Sequence, residues 1–221
     1  MASPPTMSPE NQDTISITNL SLPHGVLAPD VWGKPKEQPA TLTLTLDLRT
    51  GFSSAASSDE LDASTIHYGE LAKGIRSASQ PNQTAGQLSA AAEEAIIGMG
   101  RKAEGKFIVG RSVVEVNMPK ASMYGNGVGL IGISGFDELG RRRETERVFV
   151  VTEVKLMLLV GVNGYERRGK QPVVVSLWVW LEQEEGGAGS EEGVVALFNI
   201  EQTLVQVSQV ATQKLLLRCM S

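Results

Sequence analysis

The sequence predicts an α+β fold: an antiparallel sheet carrying two helices on one face, in the order ββααββ, followed by a partial second unit, ββα. Three observations lead there. ATLTLTLDL alternates without a break, with Leu42, Leu44, Leu46 and Leu48 against Thr41, Thr43, Thr45 and Asp47, the two-residue period of a half-buried strand. Two later stretches carry apolar residues at helical spacing. Finally, KEQPATLTLTL (Lys36–Leu46) returns as GKQPVVVSLWV (Gly169–Val179), with Gln38-Pro39 falling on Gln171-Pro172 at an offset of 171 − 38 = 133 residues.

Taken in order, residues 1–12 are rich in proline, serine and polar side chains and read as a disordered arm. The first domain is expected over 13–136. Thr14–Asn19 is a short alternating strand, and Ser21–Pro39, with Pro23, Pro29, Pro35 and Pro39, reads as a loop before the leucine–threonine strand. Ser57–Arg76, SSDELDASTIHYGELAKGIR, then crosses into a helix whose face is Tyr68, Leu71, Ala72 and Ile75. Tyr68 falls in the first turn, where a phenol either serves a ligand pocket or packs as an aromatic with its hydroxyl in water. His67 beside it reads as a helix cap or interface residue rather than a base. Thr84 and Gln87 form the T-x-x-Q capping box of a second helix. Its stripe is Leu88, Ala91, Ala92, Ala95, Ile96 and Met99, fraying at Gly98 and Gly100. Ser112–Asn117 is a strand stopped before Pro119, and Gly127–Ile133 a strand whose glycines suit close backbone approach.

Residues 137–147 are charged and read as a linker, after which the pattern restarts over 148–221. VFVVTEV resembles ISITNL, Tyr165 takes the place of Trp32, and Glu166 that of Gly33. The acidic, glycine-rich loop Glu182–Gly193 leads to a stripe of Leu197, Ile200, Leu204, Val207, Ala211 and Leu215, with Phe198 in the position of Tyr68. A second copy ending after ββα is expected to leave a strand edge and an apolar helix face for the first copy or another chain to cover.

Composition bounds the function. A chain of 221 residues with 41% hydrophobic and 20% charged residues has the profile of a globular protein with its own core. A net charge of −5, with Arg141–Arg143 interrupted by Glu144 and Glu146, gives no electrostatic footprint for nucleic acid, so no such partner is expected. No apolar run of about 18 residues is present, and the N-terminus lacks a basic start and apolar centre, so neither a membrane partner nor a secretory signal is expected. Cys219 is the single cysteine, which allows no internal disulfide and fits a reducing, cytoplasmic location. The glycosylation patterns at Asn19 and Asn82 then read as chance matches. GNGVGL and GVNGYE lack the features of a phosphate loop.

SSDELDASTIHYGEL, VEVNMP followed by GNGVGL, and VTEVKLMLLVGVNGYERRGKQPVVVSLW together resemble the dihydroneopterin aldolase family. More specifically, they resemble the tandem aldolase domains at the start of fungal multifunctional folate-synthesis proteins. The resemblance covers Asp13–Ile133 as a full domain and Val148–Leu215 as a partial one. It implies the T-fold, subunits assembled into rings, and active sites between neighbours, hence a homo-oligomer or a hetero-oligomer with another T-fold chain. It also implies retro-aldol cleavage of dihydroneopterin to 6-hydroxymethyl-dihydropterin and glycolaldehyde, without metal, Schiff base or other cofactor.

Such a site needs a carboxylate for the paired N–H donors of the pterin, a lysine as proton-transferring base, and an aromatic hydroxyl from the neighbouring subunit. By the resemblance the aromatic is Tyr68. The carboxylate position, after Leu88, is Ser89, and the lysine position, before Pro119, is Met118. Lys120 is the lysine nearest to it. A further loop glutamate falls on Gly33 in the first copy and on Glu166 in the second. The expected site is therefore Tyr68 and Lys120 as catalytic groups, with Leu88, Ser89, Met118 and Glu166 around the substrate. Glu93 and Glu94 lie a turn beyond Ser89 and read as solvent-facing.

Three functions fit: an aldolase-like protein of pterin and folate metabolism with impaired chemistry, a diverged T-fold protein acting on another substrate or as a non-catalytic partner subunit, or an incomplete product with no independent role.

Overall fold

The computed structural model describes residues 13–30, 34–49, 51, 57, 65–101, 106–161, 163–181 and 199–208. The N-terminal arm, Trp32 and Gly33, the loop Glu182–Gly193, Leu197, Phe198, Ala211 and Leu215 lie outside the described residues. Strands β1 (Thr14–Ser21), β2 (Val26–Pro29), β3 (Pro35–Gln38) and β4 (Thr41–Leu48) are followed by helices α1 (Tyr68–Ala78) and α2 (Ala85–Gly100). Then come β5 (Val109–Met118), β6 (Gly127–Phe136), β7 (Arg142–Leu158), a 3-10 turn (Glu166–Arg168) and β8 (Gln171–Leu181). Residues 199–208 are helical.

One antiparallel sheet in the order β1-β4-β5-β6-β7-β8 joins the two halves of the chain. The edge of β6 is therefore paired by β7, from Gly127 opposite Thr152 to Phe136 opposite Arg142. The alternation in β4 settles which side is core. Leu42, Leu44, Leu46 and Leu48 are buried, and they share one cluster with Leu71 and Ile75 of α1 and with Leu88, Ala92 and Ile96 of α2. Both helices thus pack on one face. Val205 of the helix at 199–208 packs against the same cluster. The opposite face holds a second apolar cluster of Val113, Ile131, Ile133, Val148 and Val150, with Trp178 packed on it.

Both helices start as their sequences indicate. His67 caps α1, its Nδ1 accepting from the backbone N–H of Gly69 (3.0 Å) and Glu70 (3.3 Å). Thr84 and Gln87 cap α2 reciprocally at 3.3 and 2.9 Å.

Two expectations are corrected. The segment read as a linker, 137–147, is a tight hairpin turn followed by the start of a 17-residue strand, β7. Asp137 builds the turn. Its carboxylate accepts from the N–H of Leu139 and of Arg141 (both 2.9 Å) and from Arg141 Nε (2.7 Å), while Gly140 takes a φ of +76°. Charged residues are tolerated in the strand because β6 supplies its ladder and much of this end faces solvent. Arg142 reaches back to α2, 2.7 Å from Glu93 and 3.0 Å from Glu94. The proline-rich segment read as a loop contains the hairpin β2–β3. Its prolines face each other at the turn end, Pro29 opposite Pro35, and the next bond inward to the turn is donated by Asp30 N to Lys34 O (2.8 Å).

A feature recurs in the two halves. In β1, Thr18-Asn19 bulge opposite Thr43, Asn19 has a φ of +53°, and its N–H donates to Thr43 Oγ1 at 3.1 Å. In β7, Thr152-Glu153 bulge opposite Ser176, Glu153 has a φ of +53°, and its N–H donates to Ser176 Oγ at 3.0 Å.

Candidate functional site at the seam between the two halves

The residues singled out from the sequence fall at separate places. Tyr68 opens α1 and is 69% exposed, its ring stacked on His67 with centroids 5.6 Å apart. The other end of that helix lies nearer β5's C-terminus. Arg76 Nε donates to Ser21 O (3.2 Å), Ser21 is opposite Thr41, and Thr41 is opposite Asn117. Tyr68 is eight residues back, ~12 Å along the helix axis. Within one chain it therefore lies at the end of α1 away from the part of the sheet that carries Met118.

Leu88 and Ser89 are buried under α2. Ser89 stands over Gly132 of β6, where an added Cβ would lie 2.9 Å from Ser89 Oγ, so the bare glycine allows the helix to approach. Gly132 is opposite Val114. Met118 is four residues further along β5, ~13 Å away at the strand rise. It is 1% exposed, opposite Val128, and belongs to the core. Lys120 is exposed in the turn that follows. Among the described residues no hydrogen bond joins Tyr68, Ser89, Met118 and Lys120. Glu166 is held within its own loop, accepting from Asn163 N (2.9 Å) and Nδ2 (3.1 Å), against Gly161 at a φ of +148°.

The turn between β5 and β6 is where the halves meet. Asn126 N donates to Thr152 O (2.8 Å), Lys155 N donates to Tyr124 O (3.0 Å), and Asn126 Nδ2 bonds Glu153 beside the β7 bulge. From the helix at 199–208, Glu201 reaches the same turn. Its carboxylate accepts from Ser122 Oγ (2.6 Å), Met123 N (3.0 Å) and Tyr124 N (2.7 Å). The helix at 199–208 thus faces the β5–β6 turn through Glu201, while Tyr68 at the start of α1 faces out. Sequence reading missed Glu201 because its three donors lie 77 to 79 positions away.

Glu115 was also missed. It lies on the helix-free face, opposite Thr43 and Ile131, and burial pushes its carboxyl above the usual range. At the far end of the sheet a hollow of about 440 Å³ is lined by Arg49, Arg141, Arg143, Asp137 and Glu138. It contains none of the predicted residues, and its charges are engaged locally: Arg141 pairs with Asp137 at 2.7 Å, and Arg49 donates to Phe136 O. Among the described residues no cluster of His, Cys, Asp and Glu suits a metal ion, and no helix is long and apolar enough to cross a membrane.

No family model matches the chain. Among curated proteins it is similar to the folic acid synthesis protein fol1 of Pneumocystis carinii, 23% identical over 201 residues, which is 90% of this chain. The chain spans a quarter (25%) of that relative's length. Among solved structures it is similar to one from Vibrio cholerae O1 biovar El Tor assigned as a dihydroneopterin aldolase (FolB). That match has 17% identity and a TM-score of 0.44, and covers 57% of this chain and 98% of the other.

Proposed function

We propose that the chain is a dihydroneopterin aldolase-like protein of pterin and folate metabolism, built as two successive T-fold units with impaired aldol chemistry. The observation that carries this reading is the similarity to the folic acid synthesis protein over 90% of the chain, because an alignment of that extent runs through both halves. The paired bulges support a duplication. Thr43 and Ser176, the hydroxyls that receive the bulged N–H groups, are 176 − 43 = 133 residues apart, the offset already seen between Gln38 and Gln171.

In the proposed reaction a base removes the proton from the side-chain hydroxyl next to the scissile C–C bond. The bond breaks, glycolaldehyde leaves, and the electron pair passes into the pterin ring, which takes up a proton at the new methylene. Lys120 is the exposed amine beside the seam, and Tyr68 is the phenol offered to a neighbouring unit. Leu88, Ser89, Met118 and Glu166 are the substrate-side positions. Tyr68 lies away from Met118 in its own chain, so the reading calls for an oligomer, of this chain alone or with another T-fold chain. A cytoplasmic location belongs to the same reading, as the lone Cys219 suits a reducing compartment. A non-catalytic partner subunit is the second reading. It is favoured by the core burial of Met118 and by Ser89, which supplies no charge.

Calorimetric titration with neopterin and dihydroneopterin, paired with an assay for released glycolaldehyde, tests the proposal. Saturable binding with slow release is the expected result. Binding without release would select the second reading, and no saturable binding up to millimolar ligand would overturn both.

A further inference from the structure

We propose that the turn Ser122–Gly125 is an oxyanion-binding site that the chain fills with its own carboxylate, Glu201, so that the helix at 199–208 latches the seam between the two halves. The proposal does not depend on the aldolase reading.

Three donors converge on one carboxylate. Ser122 Oγ (2.6 Å) and Tyr124 N (2.7 Å) reach Oε1, and Met123 N (3.0 Å) reaches Oε2. The hydroxyl that donates to Glu201 is itself fixed, since it accepts from Gly125 N at 2.7 Å. Consecutive backbone N–H groups directed at one point form an anion-binding concavity whatever the source of the anion. The site is also dry: Glu201 is 5% exposed. A carboxylate so enclosed is retained only where hydrogen bonds replace its water, and here the turn supplies them.

The position of the turn gives the contact its consequence. Strand β5 ends at Met118, and Pro119 and Lys120 lead from it into one side of the turn. On the other side Asn126 and Tyr124 bond to Thr152 and Lys155 of β7. The turn is thus held by the sheet of both halves, and Glu201 adds the helix. A free carboxylate reaches the turn only when that helix lifts, so a small carboxylate ligand and the docked helix exclude each other. The ligand class of the site is a compact carboxylate, and Glu201 is its tethered representative.

The test uses the full-length chain labelled with ¹⁵N, with acetate as the probe and chloride at equal ionic strength as the control. In Glu201→Ala the amides of Met123 and Tyr124 are expected to exchange about tenfold faster or more, since charged hydrogen bonds are lost. Acetate at tens of millimolar is expected to restore their protection and move their shifts toward those of the parent, while leaving the parent spectrum unchanged. Parent-like exchange in Glu201→Ala, or a folded Glu201→Ala indifferent to acetate, would overturn the proposal. Should Glu201→Ala fail to fold, Glu201→Gln and Ser122→Ala decide it. Each is expected to speed exchange at Met123 and Tyr124 while amides of β4 stay protected, and unchanged exchange in both would sink the latch.

Discussion

Asn19 and Glu153 occupy the same left-handed backbone conformation, φ +53°, in two bulges on strands from different halves of the chain, and each gives its N–H to a hydroxyl on the facing strand. Left-handed backbone is unfavourable for a residue with a Cβ, so a specific partner at both places is informative. The bulge bends β1 and β7 alike and re-aims Leu20 and Val154, the residues that follow, into the core.

If the two bulges are equivalent, their hydroxyls are interchangeable in kind. Thr43→Ala and Ser176→Ala are each expected to lower stability by about 0.5–1.5 kcal/mol, the net value of one such hydrogen bond. Thr43→Ser and Ser176→Thr are expected to be close to neutral. Urea denaturation measures all four. A loss at one site with none at the other would argue against a common origin of the bulges.

The fold was legible wherever one period governed a segment. The leucine–threonine alternation of β4 and the capping box of α2 needed nothing beyond local chemistry. The hairpin β2–β3 was hidden because its prolines, read as breakers, sit at the end of the pairing rather than inside it. The first residues of β7 were hidden because their charges suggested solvent on every side, whereas β6 gives that strand its ladder. The contact at the β5–β6 turn was less legible for a physical reason: it joins residues 77 to 79 positions apart. Nothing near Glu201 in sequence announces that its partners are Ser122, Met123 and Tyr124. Ser89 looks like an open polar position until the helix lays it over Gly132.

Ser112 is a test of buried polarity. Its hydroxyl lies on the helix-facing side of β5, 1% exposed, between Leu46 and Ser134, and has no hydrogen-bond partner among the described residues. A buried hydroxyl without a partner carries a desolvation penalty of about 1–3 kcal/mol. Ser112→Ala removes the hydroxyl and leaves a small void that offsets part of the gain. The expected outcome is a chain more stable by about 1 kcal/mol, read from the urea midpoint at unchanged slope.

Two carboxylates give opposite dependences on pH. Burial raises Glu115 above its unfolded value, so the fold favours the neutral acid. Its contribution to stability is present below about pH 4.3, the unfolded glutamate value, and is lost as pH rises through the folded one. Glu115→Gln is therefore expected to be more stable than the parent at pH 7, with the gain disappearing below about pH 4. Asp137 is the reverse. The N–H of Arg141, with the Arg141 side chain and the N–H of Leu139, holds it down to about 2. Its contribution is present above the unfolded aspartate value of about 3.9 and is lost as pH falls toward 2. Asp137→Asn is expected to lower stability at pH 7 and to flatten the acid limb of the stability curve. Thermal unfolding from pH 2 to 8 measures both, and parallel curves for parent and variants would refute both assignments.

The chemistry proposed for the seam makes the most demanding prediction. At the two positions where the resemblance calls for charge, the chain has Ser89 over Gly132 and Met118 in the core. A serine hydroxyl cannot form the charged two-pronged pair with the pterin edge, and each charged hydrogen bond missing is worth about 1.5–3 kcal/mol. Binding is then at least about tenfold weaker than with a carboxylate. A thioether at 118 transfers no proton, which removes a factor of about 10²–10⁴ in rate. Ser89→Glu combined with Met118→Lys is expected to restore part of the glycolaldehyde release from dihydroneopterin. Tyr68→Phe in that background is expected to reduce release again if the phenol serves the site of a neighbouring unit as proposed. Fast release by the unaltered chain would show that the site does without charge at positions 89 and 118, with Lys120 and Glu93 the first to replace. No release by the double variant, despite a folded chain that binds dihydroneopterin, would leave the partner-subunit reading in its place.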